Sequence, residues 1–429
     1  MTYPSPCTLG RATPTLSASL LGALVLGGCS YFPWLGGEKD PTPPAKLAPV
    51  ATEVGVQTLW TTKVGSGTRK RQLALVPALS GDRLFIADTD GTLAAVGSAD
   101  GRVQWQRKTE FAFSAGPDSD GRILVLGTSN GLVVALSATD GSQNWTANVE
   151  SEVLAVPRLE GDLVVVHTLD DNVHGLEAAT GNQRWRYPYQ APILTLRGSS
   201  TPVIADGSAL VGLSGGKLTK LDLATGAPIW EVTVTLPSGR SELERIADID
   251  AAPVVVGSTV YVGTYNGDLA AVDLATGDIL WRRTLSSHAG LAADASNLYV
   301  TDSDDHVWAA QASDGAGRWK QEQLSHRLLT APAILGDSLV VGDLEGYLHW
   351  ISRRDGRIVG RIKVAGGAIT AQPLVSGGRL FVYADDGTLA ALSTGAVSAE
   401  ERAKAAATGG GGGVVSDPDL PSARSGAAR

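Results

Sequence analysis

The sequence predicts an all-β fold, an eight-bladed β-propeller made of four-stranded antiparallel blades. Three observations predict it. One unit of about forty residues recurs eight times. The short apolar runs within it have the two-residue periodicity of β-strands. The repeat region begins with one extra strand and ends one strand short.

Each repeat carries a turn-forming pair between two apolar runs, and such pairs tolerate the positive φ of a tight hairpin. Ten residues after the first seven pairs a glycine returns, and in copies one to six a tryptophan follows four residues later, whereas copy seven has Gly360 there. Markers that recur at the same spacing in successive copies indicate one repeated structural unit. The pairs are Asp90-Gly91, Asn130-Gly131, Asp170-Asp171, Gly215-Gly216, Asn266-Gly267, Asp304-Asp305, Glu345-Gly346 and Asp386-Gly387.

The residues between the markers follow a β pattern. Two residues after each pair stands an aliphatic side chain, as at Leu93 and Val133, and two further on a small one is usual, as at Ala95 and Ala135. Positions two apart share one face of a strand, so this face is apolar and lets neighbouring sheets approach closely. The spacing leaves room for four strands per unit.

The ends of the repeat region predict how the sheets close into a ring. The last copy stops after its third strand near Leu392, and an orphan tryptophan strand, Val56 to Val64 around Trp60, precedes the first copy. An open row of sheets would leave apolar faces and strand edges at both ends. We therefore expect the first strand of the chain to complete the last blade.

The first residues are typical of a lipoprotein signal. Arg11 precedes an apolar run from Leu16 to Leu26 that ends in Gly27-Gly28-Cys29, and this segment is too short to span a bilayer. It resembles the lipobox of bacterial lipoproteins, although an ordinary signal peptide carrying a cysteine is the alternative. The resemblance implies cleavage after residue 28, acylation of Cys29 and, because Ser30 follows, delivery to the outer membrane facing the periplasm.

The chain thus divides into a signal (1–28), a lipid-anchored linker (29–52), the propeller (53–395) and a tail (396–429). The linker is Pro-rich and polar, which is typical of a tether. The tail is rich in Ala, Gly and Ser, so it cannot bury a core and we expect disorder. The formal net charge of −9 makes a nucleic-acid partner unexpected.

The repeat itself carries a family resemblance. The run from Ala271 to Gly277, followed by Trp281, resembles the tryptophan-docking repeat of quinoprotein-like propellers. Together with the lipobox and the eight-blade closure, the chain from Cys29 to Leu392 resembles the BamB family, the lipoprotein subunits of the outer-membrane β-barrel assembly machinery. The motif specifies a fold and not a catalyst, because docking across blades explains each of its residues.

Two neighbouring connections between blades are longer than the repeat requires. The segment from Trp185 to Pro202 spans 17 residues and that from Trp230 to Pro253 spans 23, against 12 from Trp105 to Pro117. Loop extensions add no core and often carry function. A third long segment, before Pro77, contains Arg69-Lys70-Arg71, which we interpret as a solvated run.

The resemblance implies that these connections hold a partner-binding patch. Its residues, by likeness to the family, are Leu194, Leu196, Arg197, Asp248 and Asp250, and its partners are the POTRA domains of the BamA-type insertase. Leucine can supply a buried anchor, and arginine is favoured at interface centres. The alternative is structural: the aspartates cap the loop or pair with Arg197, and Leu194 enters a strand.

No catalytic constellation stands out. The six histidines lack metal-ligand spacing, and Asp302, Asp304 and Asp305 are interpreted as turn residues, so we expect neither metal nor cofactor. We expect a non-enzymatic scaffold that binds the insertase and other subunits of the machinery. Nascent outer-membrane proteins are further expected partners, by strand addition at the free blade edges. The alternatives are a quinoprotein-type dehydrogenase and an envelope ligand sensor.

Overall fold

The computed structural model describes residues 42–395 except Lys70, Gln72 and Glu242. These residues form 33 β-strands and no helix, so no described helix could span a membrane. The predicted signal, Cys29 and the tail from residue 396 lie outside the described residues. Strand bounds before the third blade are β1 Gly55–Lys63, β2 Ala74–Leu75, β3 Ala78–Ser80, β4 Arg83–Ala87, β5 Thr92–Gly97, β6 Val103–Lys108, β7 Phe113–Ser119, β8 Ile123–Thr128, β9 Leu132–Ser137 and β10 Gln143–Asn148.

The next three blades follow the same pattern of one short and three longer strands. They comprise β11 Arg158–Glu160, β12 Leu163–His167, β13 Val173–Glu177, β14 Gln183–Tyr187, β15 Val203–Ala205, β16 Ser208–Leu213, β17 Lys217–Asp222, β18 Pro228–Thr233, β19 Val254–Val256, β20 Thr259–Gly263, β21 Asp268–Asp273 and β22 Ile279–Thr284.

The remaining strands build blades six to eight. They are β23 Gly290–Ala293, β24 Asn297–Thr301, β25 Val307–Gln311, β26 Gly317–Gln321, β27 Ala333–Leu335, β28 Ser338–Gly342, β29 Tyr347–Ser352, β30 Ile358–Lys363, β31 Leu374–Ser376, β32 Arg379–Tyr383 and β33 Thr388–Gly395. The eight antiparallel sheets confirm the predicted propeller, with first strands of neighbouring blades in mutual contact, as between β3 and β7 or β27 and β31.

The predicted closure is also confirmed. The sheet order of blade eight is β1-β33-β32-β31, with Gly55 opposite Gly395 and Lys63 opposite Thr388. Trp60 pairs with Ala391, and its ring lies 6.2 Å from that of Phe381. One unexpected strand, β2, adds to blade two by pairing in parallel with β7.

Seven tryptophans, one in each of blades one to six and Trp60 in blade eight, join their blade to the next. Each indole lies against the turn glycine of the following blade, so that a Cβ on Gly101 would stand 2.6 Å from the Trp60 ring, and each Nε1 donates to a carbonyl there. This combines apolar burial with a satisfied N–H. The donor–acceptor pairs are Trp60–Ser98, Trp105–Ala138, Trp145–Ala178, Trp185–Leu223, Trp230–Leu274, Trp281–Ala312 and Trp319–Arg353.

The ring has two faces, which the backbone hydrogen bonds distinguish. The connections between blades lie beside the turns between second and third strands, as where Thr109 N donates to Gly91 O and Val364 N to Gly346 O. We call this side the connection face. The turns between third and fourth strands, such as residues 98–102, lie at the other end of the strands, on the opposite face.

Candidate partner-docking surface

Two long connections meet on the connection face around blade four. The first, residues 188–202, joins β14 to β15, and the second, residues 234–253, joins β18 to β19. Ser200 Oγ donates to Ala251 O at 2.9 Å, which ties the connections together near their carboxyl ends. The structure therefore brings together the two segments that carry the five residues singled out from the sequence.

Asp248 is a second residue that holds the two connections together. Its side chain is buried, with Oδ2 accepting the Leu196 N–H at 2.6 Å and Oδ1 accepting the Gly215 N–H at 3.0 Å. Burial raises the pKa of this carboxyl, although both amide donors oppose the shift. Asp248 is therefore positioned to shape the surface from beneath, as a cap of the loop.

Asp250 is partly buried beneath the first connection. A Cβ on Gly198 would stand 2.5 Å from Asp250 Oδ1, so the carboxylate packs where only glycine leaves room. Burial, followed by the negative charges of Asp248 and Asp171, raises the pKa of Asp250 to about 7. This carboxyl consequently titrates near neutral pH, where an ordinary aspartate is fully ionised.

A buried pair in blade three, which was not singled out from the sequence, supports the first connection. His167 Nδ1 lies 2.8 Å from Ser200 O, and His167 Nε2 lies 3.2 Å from Asp171 Oδ1. Asp171 also accepts the Ser214 N–H of the blade-four turn. The available signal was the Asp170-Asp171 pair, because every other copy except the sixth has glycine at the second turn position.

Arg197 is exposed at the edge of the first connection. Its Nη2 lies 2.5 Å from Glu152 Oε2, on the connection between blades two and three. The alternative that Arg197 pairs with Asp248 or Asp250 is thus wrong, because both carboxylates are engaged or buried further inside. A half-exposed ion pair of this kind adds little to stability, so the guanidinium can exchange its partner at small cost.

The two connections expose several large apolar side chains. Leu194 is 42% exposed and Ile193 fully so, whereas Leu196 is partly buried, and the second connection exposes Leu236 and Leu243 at about 70%. These are four of the nine exposed large apolar side chains among the described residues. Exposed apolar clusters mark interaction sites more often than plain surface. Ile193, Leu236 and Leu243 were not singled out from the sequence, although loop length pointed to their segments.

The other polar residues considered in the sequence serve local structure. Asp302 Oδ1 accepts the Asp304 and His306 N–H groups at 2.9 and 2.8 Å, so it stabilises the blade-six turn. Arg69 lies 2.5 Å from Asp90 in an ion pair. Within the described part of the chain, no three His, Cys, Asp or Glu side chains converge as metal ligands would.

Comparison with known proteins places this geometry in a family. A family model described as outer membrane protein assembly factor BamB matches residues 51–110, 89–321 and 319–408. The outer membrane protein assembly factor BamB of Alkalilimnicola ehrlichii is 47% identical over 384 residues, which cover 90% of this chain and 98% of the relative.

Two solved structures define the fold relationship. The crystal structure of BamB from Moraxella catarrhalis is 29% identical with a TM-score of 0.72, covering 79% of this chain and all of that one. A quinohemoprotein alcohol dehydrogenase from Comamonas testosteroni reaches a TM-score of 0.63 at 12% identity, covering 79% of this chain and 76% of that one, which shows a shared fold alone. The chain therefore belongs to the BamB family of outer membrane protein assembly factors.

Proposed function

We propose that this chain is an outer membrane protein assembly factor and works as a scaffold rather than as an enzyme. Relatives that carry the assembly-factor name match nearly their whole length, and this observation carries the proposal. The scaffold is a lipoprotein acylated at Cys29, held at the outer membrane and facing the periplasm. It assists the folding and insertion of β-barrel proteins by orienting a partner.

The partner surface is the pair of long connections around blade four. Leu194 and Ile193 supply exposed apolar area, and Arg197 supplies an accessible cation whose present partner, Glu152, is itself near the surface. The occupant is the set of POTRA domains of the BamA-type insertase. Other subunits of the machinery dock on the complex of this chain with the insertase. The free edges of outer strands such as β6 offer backbone groups to nascent barrel strands.

The five residues divide into two roles on this surface. Leu194 and Arg197 contact the partner, and Leu196 contributes through its exposed part. Asp248 holds the Leu196 amide in place and Asp250 packs under Gly198, so both aspartates act through the conformation of the first connection. Substituting the aspartates should therefore lower affinity only as far as it distorts the loop.

The test measures the affinity of the full chain for purified POTRA domains by titration calorimetry. Arg197→Ala and Leu194→Ser should each lose about 2 kcal/mol, roughly a 30-fold weaker Kd, if they are central contacts. The matched controls are Arg102→Ala, another exposed arginine paired with one carboxylate, and Leu280→Ser, an exposed leucine of β22. These controls should bind like the parent.

The double variant Asp248→Ala/Asp250→Ala completes the series. It should weaken binding and also increase hydrogen exchange at the Leu196 amide, because the cap is lost. If Arg197→Ala, Leu194→Ser and this double variant all bind with the parent's affinity, the long connections have no part in docking. Binding lost equally in the controls would instead place the interface elsewhere.

A cavity on the connection face favours ligand sensing as a second candidate function. It has a volume of about 590 Å³ and is lined by residues from several blades, including Leu73, His288, Leu328 and Thr370. Volumes of this size hold a small molecule. Screening metabolites, including pyrroloquinoline quinone with calcium, for a raised melting temperature tests this candidate, and the absence of any shift would reject it.

A further inference from the structure

A segment ahead of the first strand lies along the outer strand of blade seven. We call this segment, Ala45–Val54, the strap. At its beginning, Ala45 N donates to Ser325 O at 3.0 Å, and Arg327 Nη1 donates to Ala45 O at 2.9 Å. Ser325 and Arg327 belong to the connection between β26 and β27, so the strap begins on the connection face.

The middle of the strap is held by one apolar and one polar contact. Leu47 packs against the core between blades six and seven, which includes Tyr299 and Leu329. Arg361 Nη1 donates to Ala48 O at 2.7 Å from the outer strand β30. These two contacts restrict the movement of the strap, which its Pro-rich composition alone indicated to be a free tether.

The strap ends near the opposite face. Glu53 N and Val54 N both donate to Val359 O, at 2.8 and 3.2 Å, and the Glu53 carboxylate pairs with Arg357. Val359 is the second residue of β30, directly after the turn between the third and fourth strands. The chain thus runs down the blade as the strap and returns as β1.

The two arginines that hold the strap are themselves fixed by buried partners. Arg327 is 3% exposed and lies 2.8 Å from Asp343, and Arg361 Nε donates to His349 Nδ1 at 3.0 Å. His349 Nε2 lies 2.9 Å from Asp343. Side chains already ordered in this way lose little further freedom when they bond a carbonyl, so each contact retains more of its energy.

Blade seven also differs from the other blades where the strap turns into β1. Gly360 stands at the position that holds tryptophan in the first six copies, and a Cβ there would lie 3.6 Å from Val54 O and 3.7 Å from Val56 Cγ2. Val54 and Val56 pack on the core that contains Trp350. The strap and the start of β1 therefore cover the place where a docking tryptophan is missing.

We propose that the strap fixes the connection face of the ring toward the lipid surface that anchors the amino-terminal end. This inference rests on the lipid anchor at Cys29 in the proposed function. With the strap seated, the chain enters the ring at Ala45 on the connection face, 16 positions after Cys29; without it, the ring begins at Gly55 on the opposite face, 26 positions after Cys29. The docking connections then face the membrane side.

The first test asks whether the strap is seated, independently of any lipid. Hydrogen–deuterium exchange is measured on the soluble chain with Cys29→Ser. The amides of Ala45, Glu53 and Val54 should exchange at least about tenfold more slowly than in an unstructured peptide. Leu47→Ser should release this protection, whereas Lys46→Ser, at an exposed neighbouring position, should leave it intact. Exchange at the unstructured rate in the parent would overturn the inference.

The second test measures orientation on vesicles of phosphatidylcholine and a nickel-chelating lipid. A hexahistidine tag replaces residues 1–28 of the Cys29→Ser chain, so orientation is tested even if cells do not acylate Cys29. A fluorophore is placed through Gln190→Cys on the connection face or Ala224→Cys on the opposite face, both exposed near blade four.

Energy transfer to labelled headgroups should be stronger from position 190 than from position 224. Leu47→Ser should reduce this difference or reverse it, and Lys46→Ser should preserve it. Equal transfer from the two positions in the parent would overturn the proposed orientation. A further outcome is that the docking variants lose affinity for the POTRA domains while the difference in energy transfer between positions 190 and 224 stays unchanged. That result would show that docking and orientation depend on different residues, so each proposal can fail without the other.

Discussion

Asp248 Oδ2 accepts the backbone N–H of Leu196 at 2.6 Å, although the two residues are 52 positions apart. The other carboxylate oxygen accepts the Gly215 N–H from the turn of blade four. One buried side chain therefore joins two connections and one hairpin turn. The shape of the candidate docking surface depends on this carboxylate more than on any exposed residue within it.

Replacing Asp248 should destabilise the surface measurably. Asp248→Ala leaves the Leu196 and Gly215 amides without their acceptor, and we expect a loss of about 1–3 kcal/mol in the free energy of unfolding. Urea denaturation measures this change, with the exposed Asp337→Ala as control. Equal stability of the two variants would show that the cap contributes nothing.

Asp250 should make stability depend on pH near neutrality. Because its pKa is raised to about 7, the folded protein keeps a proton that the unfolded chain has lost above about pH 4. The contribution of Asp250 to the free energy of unfolding therefore falls as the pH rises to about 7 and levels off above it. Asp250→Asn cannot titrate at this position. The melting temperature of this variant minus that of the parent should therefore be higher at pH 8 than at pH 5.

The control for this pH profile is Asp337→Asn, at an exposed position. Its melting temperature should follow that of the parent at both pH values. Parallel curves for Asp250→Asn and the parent would mean that Asp250 titrates in the folded protein as it does in the unfolded chain.

A pair of glycine substitutions separates tryptophan docking from backbone strain. Gly181 has φ +77° and a Cβ there would stand 2.5 Å from Trp145 Cε3, whereas Gly161 has φ +60° and open space around it. Gly161→Ala should cost about 1–2 kcal/mol from the left-handed backbone alone. Gly181→Ala should cost a further ~1–3 kcal/mol, because the methyl displaces the docked indole.

Urea denaturation compares the two variants directly. The difference between them isolates the clash, since both carry the same side chain on a left-handed backbone. Equal losses would mean that Trp145 adjusts freely and that the close approach at Gly181 is not needed for the joint between blades two and three.

The fold was predictable because its information is local and repeated. Turn pairs such as Asp90-Gly91 and Asn130-Gly131 mark each hairpin. Because the pairs recur eight times at a similar spacing, they predict eight equivalent blades. The closure was also visible, since Trp60 precedes the first copy and the last copy lacks a tryptophan strand. β2 was not predictable, because a two-residue parallel pairing leaves no periodic signal.

The docking surface was only partly predictable. Connection length located it, but the burial of Asp248 and the pairing of Arg197 with Glu152 depend on three connections meeting in space. The strap escaped prediction because a Pro-rich segment is typical of a tether. Its partners, Arg327 and Arg361, lie 282 and 313 residues later than the carbonyls they bind. Gly360 was the one signal in the sequence, because it replaces the repeat tryptophan. Only the packing of Val54 and Val56 around it shows that the strap and the start of β1 cover this position.

The pairing of β1 with β33 sets the order in which the molecule can mature. Synthesis produces β1 first and its partner only from residue 388 onward, so blade eight stays incomplete until nearly the whole chain exists. Contacts of such long sequence separation form slowly. A polypeptide that terminates before β33 leaves β1 without its partner and cannot close the ring.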